Sequence, residues 1–307
     1  MYLRAYQINK ESYQNFNSNF MKSILFSTVF LSFICFSAMG QNQTDASLFM
    51  RSDSLQTNMI QDESGDIYRA IGHHGPAVEN EWLALRLYFN NRATSIDAYN
   101  KQKKGLELKK ALWYPTEKEQ KKGLGADYYK VGSTVGLGGV RLWDGEKEVM
   151  LAPVSNRIVQ VKKEGNFSQM EMISKDVPYK GKKIDVMVRV TAYSGLREMR
   201  VEAFAFSEED VQFVTGINYF DSQKVLKEED RIITWGLHPE DVAAESVQVG
   251  AAIVINHDDF EKTVDDGKQH LFVSKPCKYI SSWVTSTIEK DKKLGTLEKF
   301  KAYVSEL

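Results

Sequence analysis

The sequence predicts a mainly β protein: a large antiparallel β-sandwich with a few short helices. Three observations carry this expectation. From Arg157 onward, apolar and polar residues alternate with a period of two in segment after segment. Turn signals such as Glu164-Gly165-Asn166 and Ser194-Gly195 separate those segments, as they do in sandwiches and barrels. No strand–helix–strand rhythm runs through the chain, which argues against a parallel α/β sheet.

Met21-Lys22-Ser23 opens an apolar run, Ile24–Phe36, and Ala38-Met39-Gly40 follows it. A charged start, an apolar core and small residues at the cut define a signal peptide over 21–40. Residues 1–20 then read as a mis-annotated extension. The run falls short of the roughly 20 residues of a bilayer span, so no membrane span is expected after cleavage. Cys35 follows Ile34, where a lipoprotein site wants a small residue. The expectation is an exported, periplasmic protein. Its one remaining cysteine, Cys277, can form no internal disulfide and is read as a buried structural thiol.

Residues 41–66 are polar and read as a linker or irregular segment, with 67–307 as one sandwich domain. Over Trp82–Phe89, Leu83, Leu85, Leu87 and Phe89 face a core, while Trp82, Ala84, Arg86 and Tyr88 share the other side. A helix is expected around 95–112 or 116–122. Gly123–Gly139 holds six glycines, which fits a loop whose backbone approaches something closely. Leu137–Trp143 reads as a strand ending at Asp144-Gly145. Further strands are expected at 157–163, 167–175, 185–193, 197–206, 211–219, 231–236, 247–256 and 269–274. Such long strands favour a wide, curved sheet of the supersandwich, galactose-mutarotase-like kind, with a concave face for an extended polymer.

With 40 basic and 41 acidic residues, the chain has a formal charge of −1 and offers no basic field for nucleic acid. The catalytic candidates begin with His73 and His74, set between Gly72 and Gly75, because imidazole moves protons near neutral pH. Neighbouring side chains on an extended chain diverge, and no HExxH or paired CxxC is present. No metal site is therefore assigned, although a structural divalent cation is left open. No redox cofactor is expected. Tyr128 and Tyr129 are candidate acids or bases. Arg86 and Arg141 suit bidentate carboxylate or sulfate recognition. Trp82, Tyr88 and Trp143 are candidate sugar platforms, and Trp235 joins them if the protein only binds. Glu79 and Glu81 share one face of an extended segment and could grip hydroxyls. Their spacing alone does not support a glycosidase pair. His238 follows Trp235 in a loop, and His257 and His270 read as surface residues.

Gly72-His-His-Gly-Pro-Ala-Val-Glu-Asn-Glu-Trp82, Arg86–Phe89, Ile96-Asp-Ala-Tyr99 and Gly132–Gly145 together resemble a family of exported proteins. That family has long been catalogued as a domain of unknown function and is found in bacterial polysaccharide-utilisation loci. One branch is an ulvan oligosaccharide dehydratase. The resemblance runs from about Tyr68 to the C-terminus. It implies a carbon–oxygen lyase that dehydrates the terminal uronic acid of an acidic oligosaccharide to a 4,5-unsaturated uronyl product. The alternatives are a non-catalytic glycan-binding sandwich and a mutarotase-like sugar epimerase.

Overall fold

A computed structural model describes residues 43–91, 94–112 and 114–307, and the signal-peptide reading of 21–40 and Cys35 lie outside them. Among the described residues the strands are, in chain order, β1 (Asp45–Ser47), β2 (Met59–Asp62), β3 (Ala77–Glu79), β4 (Leu83–Leu87), β5 (Ile96–Asn100), β6 (Leu137–Trp143), β7 (Glu148–Val149), β8 (Asn156–Lys163) and β9 (Phe167–Tyr179). There follow β10 (Lys182–Tyr193), β11 (Glu198–Phe206), β12 (Phe213–Asn218), β13 (Gln223–Lys227), β14 (Arg231–Leu237), β15 (Gln248–Ile255), β16 (Phe260–Asp265), β17 (Gln269–Ser274) and β18 (Tyr279–Ile288). The helices are short: α1 (Glu117–Lys121) and α2 (Leu297–Val304).

The strands form three sheets, antiparallel throughout. Nine strands run in the order β13-β14-β15-β18-β11-β10-β9-β8-β2, five in the order β16-β17-β12-β6-β7, and four in the order β1-β3-β4-β5. The large antiparallel sandwich is thus present. The alternation drives it: Val186, Val188 and Val190 of β10 share one core with Leu83, Leu85 and Leu87 of β4 and with Leu142, Phe213 and Ile217 of the five-stranded sheet. One face of the nine-stranded sheet is therefore covered by the two smaller sheets. Part of its other face is covered by α2, whose Phe300 and Val304 pack on Ile233, Trp235, Ala252 and Val254.

Several expectations change. Residues 96–100 are strand rather than helix, because Ile96 and Ala98 enter the core while Asp97 and Tyr99 face away from it. The other expected position, 116–122, does hold a helix, Glu117–Lys121, where Thr116 and Glu119 form a reciprocal capping box. The polar segment 43–66 carries β1, paired with β3, and β2, paired with β8. His270 is buried, not superficial: it stacks on Tyr219 at 4.6 Å and lies 3.2 Å from Asp265. Cys277 is half-buried, with burial raising its thiol pKa.

The outer face of the four-stranded sheet positions the site. Buried carboxylates staple loops across it. Glu79 pairs with Lys101 and accepts the backbone N–H groups of Glu107, at 2.8 Å, and Leu108, at 2.9 Å. Glu107 in turn accepts the Tyr99 hydroxyl at 2.7 Å and the Gly125 N–H at 2.9 Å. The glycine-rich segment comes back onto β5. A Cβ at Gly125 would stand 2.1 Å from the Asn100 carbonyl oxygen, and one at Gly136, whose φ is +70°, would stand 2.1 Å from that of Ile96.

Phe300 is fully buried between α2 and the sheet. Phe300→Ala is expected to lower unfolding free energy by about 3–5 kcal/mol, measured by urea denaturation.

Candidate active site

The two histidines occupy a tight turn at Gly72–His74, and both have left-handed backbones, with φ of 52° and 62°. For residues with a Cβ this costs roughly 1–2 kcal/mol each. Flanking hydrogen bonds hold the turn: Gly72 N–H donates to the Phe49 carbonyl and Phe89 N–H to the His74 carbonyl, each at 2.8 Å. The rings diverge. His73 points inward, with Nε2 3.2 Å from the Ser47 hydroxyl and its ring edge-on to Phe49. Burial, reinforced by the Arg86 charge, pushes its pKa down to about 3. His74 stacks on Tyr68 with ring centroids 3.8 Å apart. Its Nδ1 lies 3.0 Å from the Tyr68 carbonyl and its Nε2 lies 2.9 Å from the Tyr114 hydroxyl. A carbonyl only accepts, so the neutral ring carries its proton on Nδ1 and the Tyr114 O–H donates to Nε2. Burial pushes the His74 pKa down to about 4, with Arg86, Arg51 and Arg69 adding to the shift.

Beside His74 lies a buried charge cluster. Arg86 of β4 stands directly opposite Asp97 of β5 in the ladder, on the outer face. Its guanidinium pairs with Asp97 and, at 2.6 Å, with Asp127 from the glycine-rich segment. The Tyr88 hydroxyl donates to Asp97 at 3.0 Å, and the guanidinium lies 5.4 Å from the Tyr114 ring centre. The Asp97 side chain is fully buried and that of Asp127 is 10% exposed. Among the described residues, Arg86 Nε, Asp97 Oδ1 and Asp127 Oδ1 have no hydrogen-bond partner. One cation faces two carboxylates. Burial raises both carboxyl pKa values, Asp127 to about 8 with Asp97 adding to it, while Arg86 pulls the other way. Burial thus favours protonation of the pair, against the pull of the Arg86 charge.

Tyr68 links this cluster to a cavity of about 720 Å³, which it lines with Asp66, Arg69, Asn90, Gly132 and Ser133. The outer face of the small sheet, its covering loops and this cavity thus form one region, rather than an open groove on the nine-stranded sheet.

Of the residues singled out from sequence, His74, Arg86 and Tyr88 converge here. Tyr129 is buried, with its ring 4.5 Å from that of His238. His238 accepts the Lys130 N–H at 3.0 Å, and burial lowers its pKa to about 4. Tyr128 turns away and accepts from Gln102 at 3.1 Å. Arg141 is committed to Glu148 at 2.6 Å and to the Ser133 carbonyl at 2.9 Å, so it shapes the cavity wall from behind. Glu79 is held by the loop it staples, and Glu81 accepts the Gly195 N–H at 3.3 Å. Trp82 lies near Lys104 and Arg197, and Trp143 near Lys262, each about 5 Å from the cation. Sequence reasoning did not single out Tyr68, Asp97, Tyr114 or Asp127. Asp97 carried a signal, as a lone carboxylate alternating with core residues. Among the described residues no group of three or more His, Cys, Asp and Glu side chains is placed to hold a metal ion.

A family model described as a domain of unknown function (DUF4861) matches residues 33–307. No curated protein matches the chain. Among solved structures, a protein described as an aldose 1-epimerase from Klebsiella pneumoniae subsp. pneumoniae is similar at 9% identity and TM-score 0.37, over 86% of this chain and 94% of that one. The heparan sulfate lyase HepC from Pedobacter heparinus is similar at 11% identity and TM-score 0.35, over 78% of this chain and 39% of the lyase. A 4-alpha-glucanotransferase from Thermococcus litoralis is similar at 10% identity and TM-score 0.35, over 70% of this chain and 38% of that one. The chain spans well under half the length of these last two enzymes.

The depressed histidines set an acid limit. Between pH 6.5 and their folded values, the unfolded chain binds more protons at His73, His74 and His238, so stability falls as pH falls through that window. Each such proton contributes about 1.4 kcal/mol per pH unit. Melting temperature is expected to drop from pH 6.5 to 4. The slope should be shallower in His73→Asn, which removes the titrating ring but tolerates the left-handed backbone.

Proposed function

We propose a carbohydrate lyase function for this chain, which belongs to the family described as domain of unknown function DUF4861. The reaction is loss of water from the terminal uronic acid of an acidic, ulvan-type oligosaccharide, after export of the protein to the periplasm. The observation that carries this reading is the His74–Tyr114 hydrogen bond standing beside the Arg86–Asp97–Asp127 cluster, with Tyr68 joining both to the cavity.

Dehydration needs a base for the C5 proton, which lies alpha to the carboxylate, and an acid for the departing C4 hydroxyl. In the proposed arrangement the Tyr114 oxygen takes the C5 proton as its own passes to His74 Nε2, the ring nitrogen that the Tyr68 carbonyl leaves unprotonated. The C5–H electrons form the C4–C5 double bond, and the C4–O bond breaks. The proton shared by Asp97 and Asp127 goes to the leaving hydroxyl, which departs as water. Arg86 then faces two carboxylates, whose full ionisation it stabilises. Arg86 therefore serves the acid, and its two carboxylate partners explain why it is not the group that receives the substrate.

The acid–base pair fixes the pH dependence. Activity requires His74 unprotonated, above about pH 4, and the aspartate pair protonated, below about pH 8. A bell-shaped rate profile with those two limbs is expected. Tyr114→Phe and Asp127→Asn should each lower kcat by about 10²–10⁴-fold while leaving the protein folded. The assay is the ultraviolet absorbance of the new enoate, with mass spectrometry reading the loss of one water. Folded protein that gives no enoate across a panel of uronate-ended oligosaccharides would falsify the assignment. A product of unchanged mass and altered configuration would mean epimerisation instead.

A further inference from the structure

Among the described residues, five guanidiniums surround the cavity, and their partners differ. Arg86, behind Tyr68, has two carboxylates. Arg141, behind Ser133, has Glu148. Arg157 is fully buried behind Asn90 and forms no ion pair among the described residues. Its guanidinium donates only to neutral oxygens: the carbonyls of Asn90 and Leu151 and the Asn91 side chain. Burial holds its pKa down at about 10, and Asp66 is the charge that offsets this. Arg69 lines the cavity, is exposed, and its side chain has neither ion pair nor hydrogen bond among the described residues. The Arg51 guanidinium donates to the Arg69 carbonyl at 3.2 Å, which adds positive charge to the same rim.

Among the described residues Asp66 is the one carboxylate lining the cavity, and its Oδ2 accepts the Asn91 N–H at 3.3 Å. Arg69 and Arg157 outweigh it, so the walls carry uncompensated positive charge. Water screens Arg69 at the mouth, but Arg157 is buried and is screened far less. A cavity of this charge favours an anion, and a planar guanidinium at its rim suits a carboxylate or sulfate held by two hydrogen bonds.

We propose that Arg69 is the anion clamp of this cavity, receiving the carboxylate or sulfate of an acidic sugar, with Arg157 supplying a fixed positive charge beneath it. This deepens the reading given above and rests on it for the sugar, not for the anion. It moves recognition of the anion from Arg86 and Arg141, which have carboxylate partners, to the exposed guanidinium that has none among the described residues.

The test is equilibrium binding, which needs no turnover. Calorimetry would compare wild type, Arg69→Met and Arg69→Lys against three probes: a saturated glucuronate-ended oligosaccharide, the same oligosaccharide with its carboxylate reduced to an alcohol, and inorganic sulfate. Thermal melting would confirm that the exposed substitutions leave the fold intact. Arg69→Met should weaken the charged oligosaccharide by about tenfold to hundredfold, the range for a hydrogen bond to a charged group. Arg69→Lys should fall between. The reduced oligosaccharide should bind wild type weakly and ignore the substitution. Arg69-dependent binding of sulfate alone would assign the clamp to a sulfate ester, and dependence confined to the glucuronate probe would assign it to the carboxylate. Equal affinity of wild type and Arg69→Met for both anions overturns the clamp. Arg69-dependent binding without enoate formation overturns the dehydration reading and leaves the clamp standing.

Discussion

A single buried guanidinium, Arg86, organises the region around the candidate site. It sits on the solvent-ward face of a small sheet, and the fold closes loops over it instead of leaving it to water. Its ladder partner Asp97 is supplied by β5, and Asp127 is supplied by the glycine-rich segment. Two neighbouring strands and the later glycine-rich segment are thus tied at one point. Removing Arg86 from such a cluster would leave two buried carboxylates with no cation, and breaking a buried pair in this way typically costs about 3–5 kcal/mol. The excess carboxylate, however, makes protonation of one aspartate the cheaper solution near neutrality. A group that fixes a loop is at the same time a proton store.

The histidine turn obeys the same logic of burial. Two left-handed residues in succession would be strained anywhere. Here Phe49 and Phe89 lock both ends through backbone hydrogen bonds. The result is two imidazoles with different surroundings. His73 meets a serine and a phenyl ring, whereas His74 meets three tyrosines and stands at the edge of the charge cluster. Both are neutral, but only His74 has a hydroxyl donor that itself lies over the guanidinium.

The sandwich was legible because period-two alternation has one structural meaning when one sheet face is buried. β4, β10 and β17 could be bounded within a few residues on that ground. The strand Tyr279–Ile288 went unread even though it lies centrally in the nine-stranded sheet. Its serines and threonines, Ser282, Thr285, Ser286 and Thr287, are buried at positions where apolar residues normally announce a strand, and the Thr285 and Ser286 hydroxyls donate to the Arg197 and Gly250 carbonyls. His270 was misread for a related cause: its charged neighbours in sequence point to solvent while its own ring stacks on Tyr219. For the site, His74, Arg86 and Tyr88 stood out because they fall within or beside a clear periodic segment. Tyr114 and Asp127 lie in covering loops, where no period relates a residue to its spatial neighbours. The glycines at 125 and 136 marked the close approach, and what they approach, the backbone of β5, became visible only in three dimensions.

Charge placement separates the two jobs that arginine could do in this cavity. A guanidinium already neutralised by carboxylates gains little from an added anion, since the anion would repel the aspartates as strongly as it is drawn to the arginine. One bonded only to carbonyls keeps its full charge, and at the rim a side chain with no partner among the described residues gives up none of those contacts on meeting a ligand. Arg86 can therefore tune a proton without holding the sugar, while Arg69 can hold the sugar without touching that proton. Keeping the two apart allows the anion to bind while the aspartate pair retains its shared proton, because an acidic group seated directly on Arg86 would compete for the charge that lets Asp97 and Asp127 ionise. A site that must both receive an acid and deliver a proton is best built with those two positive charges in different places.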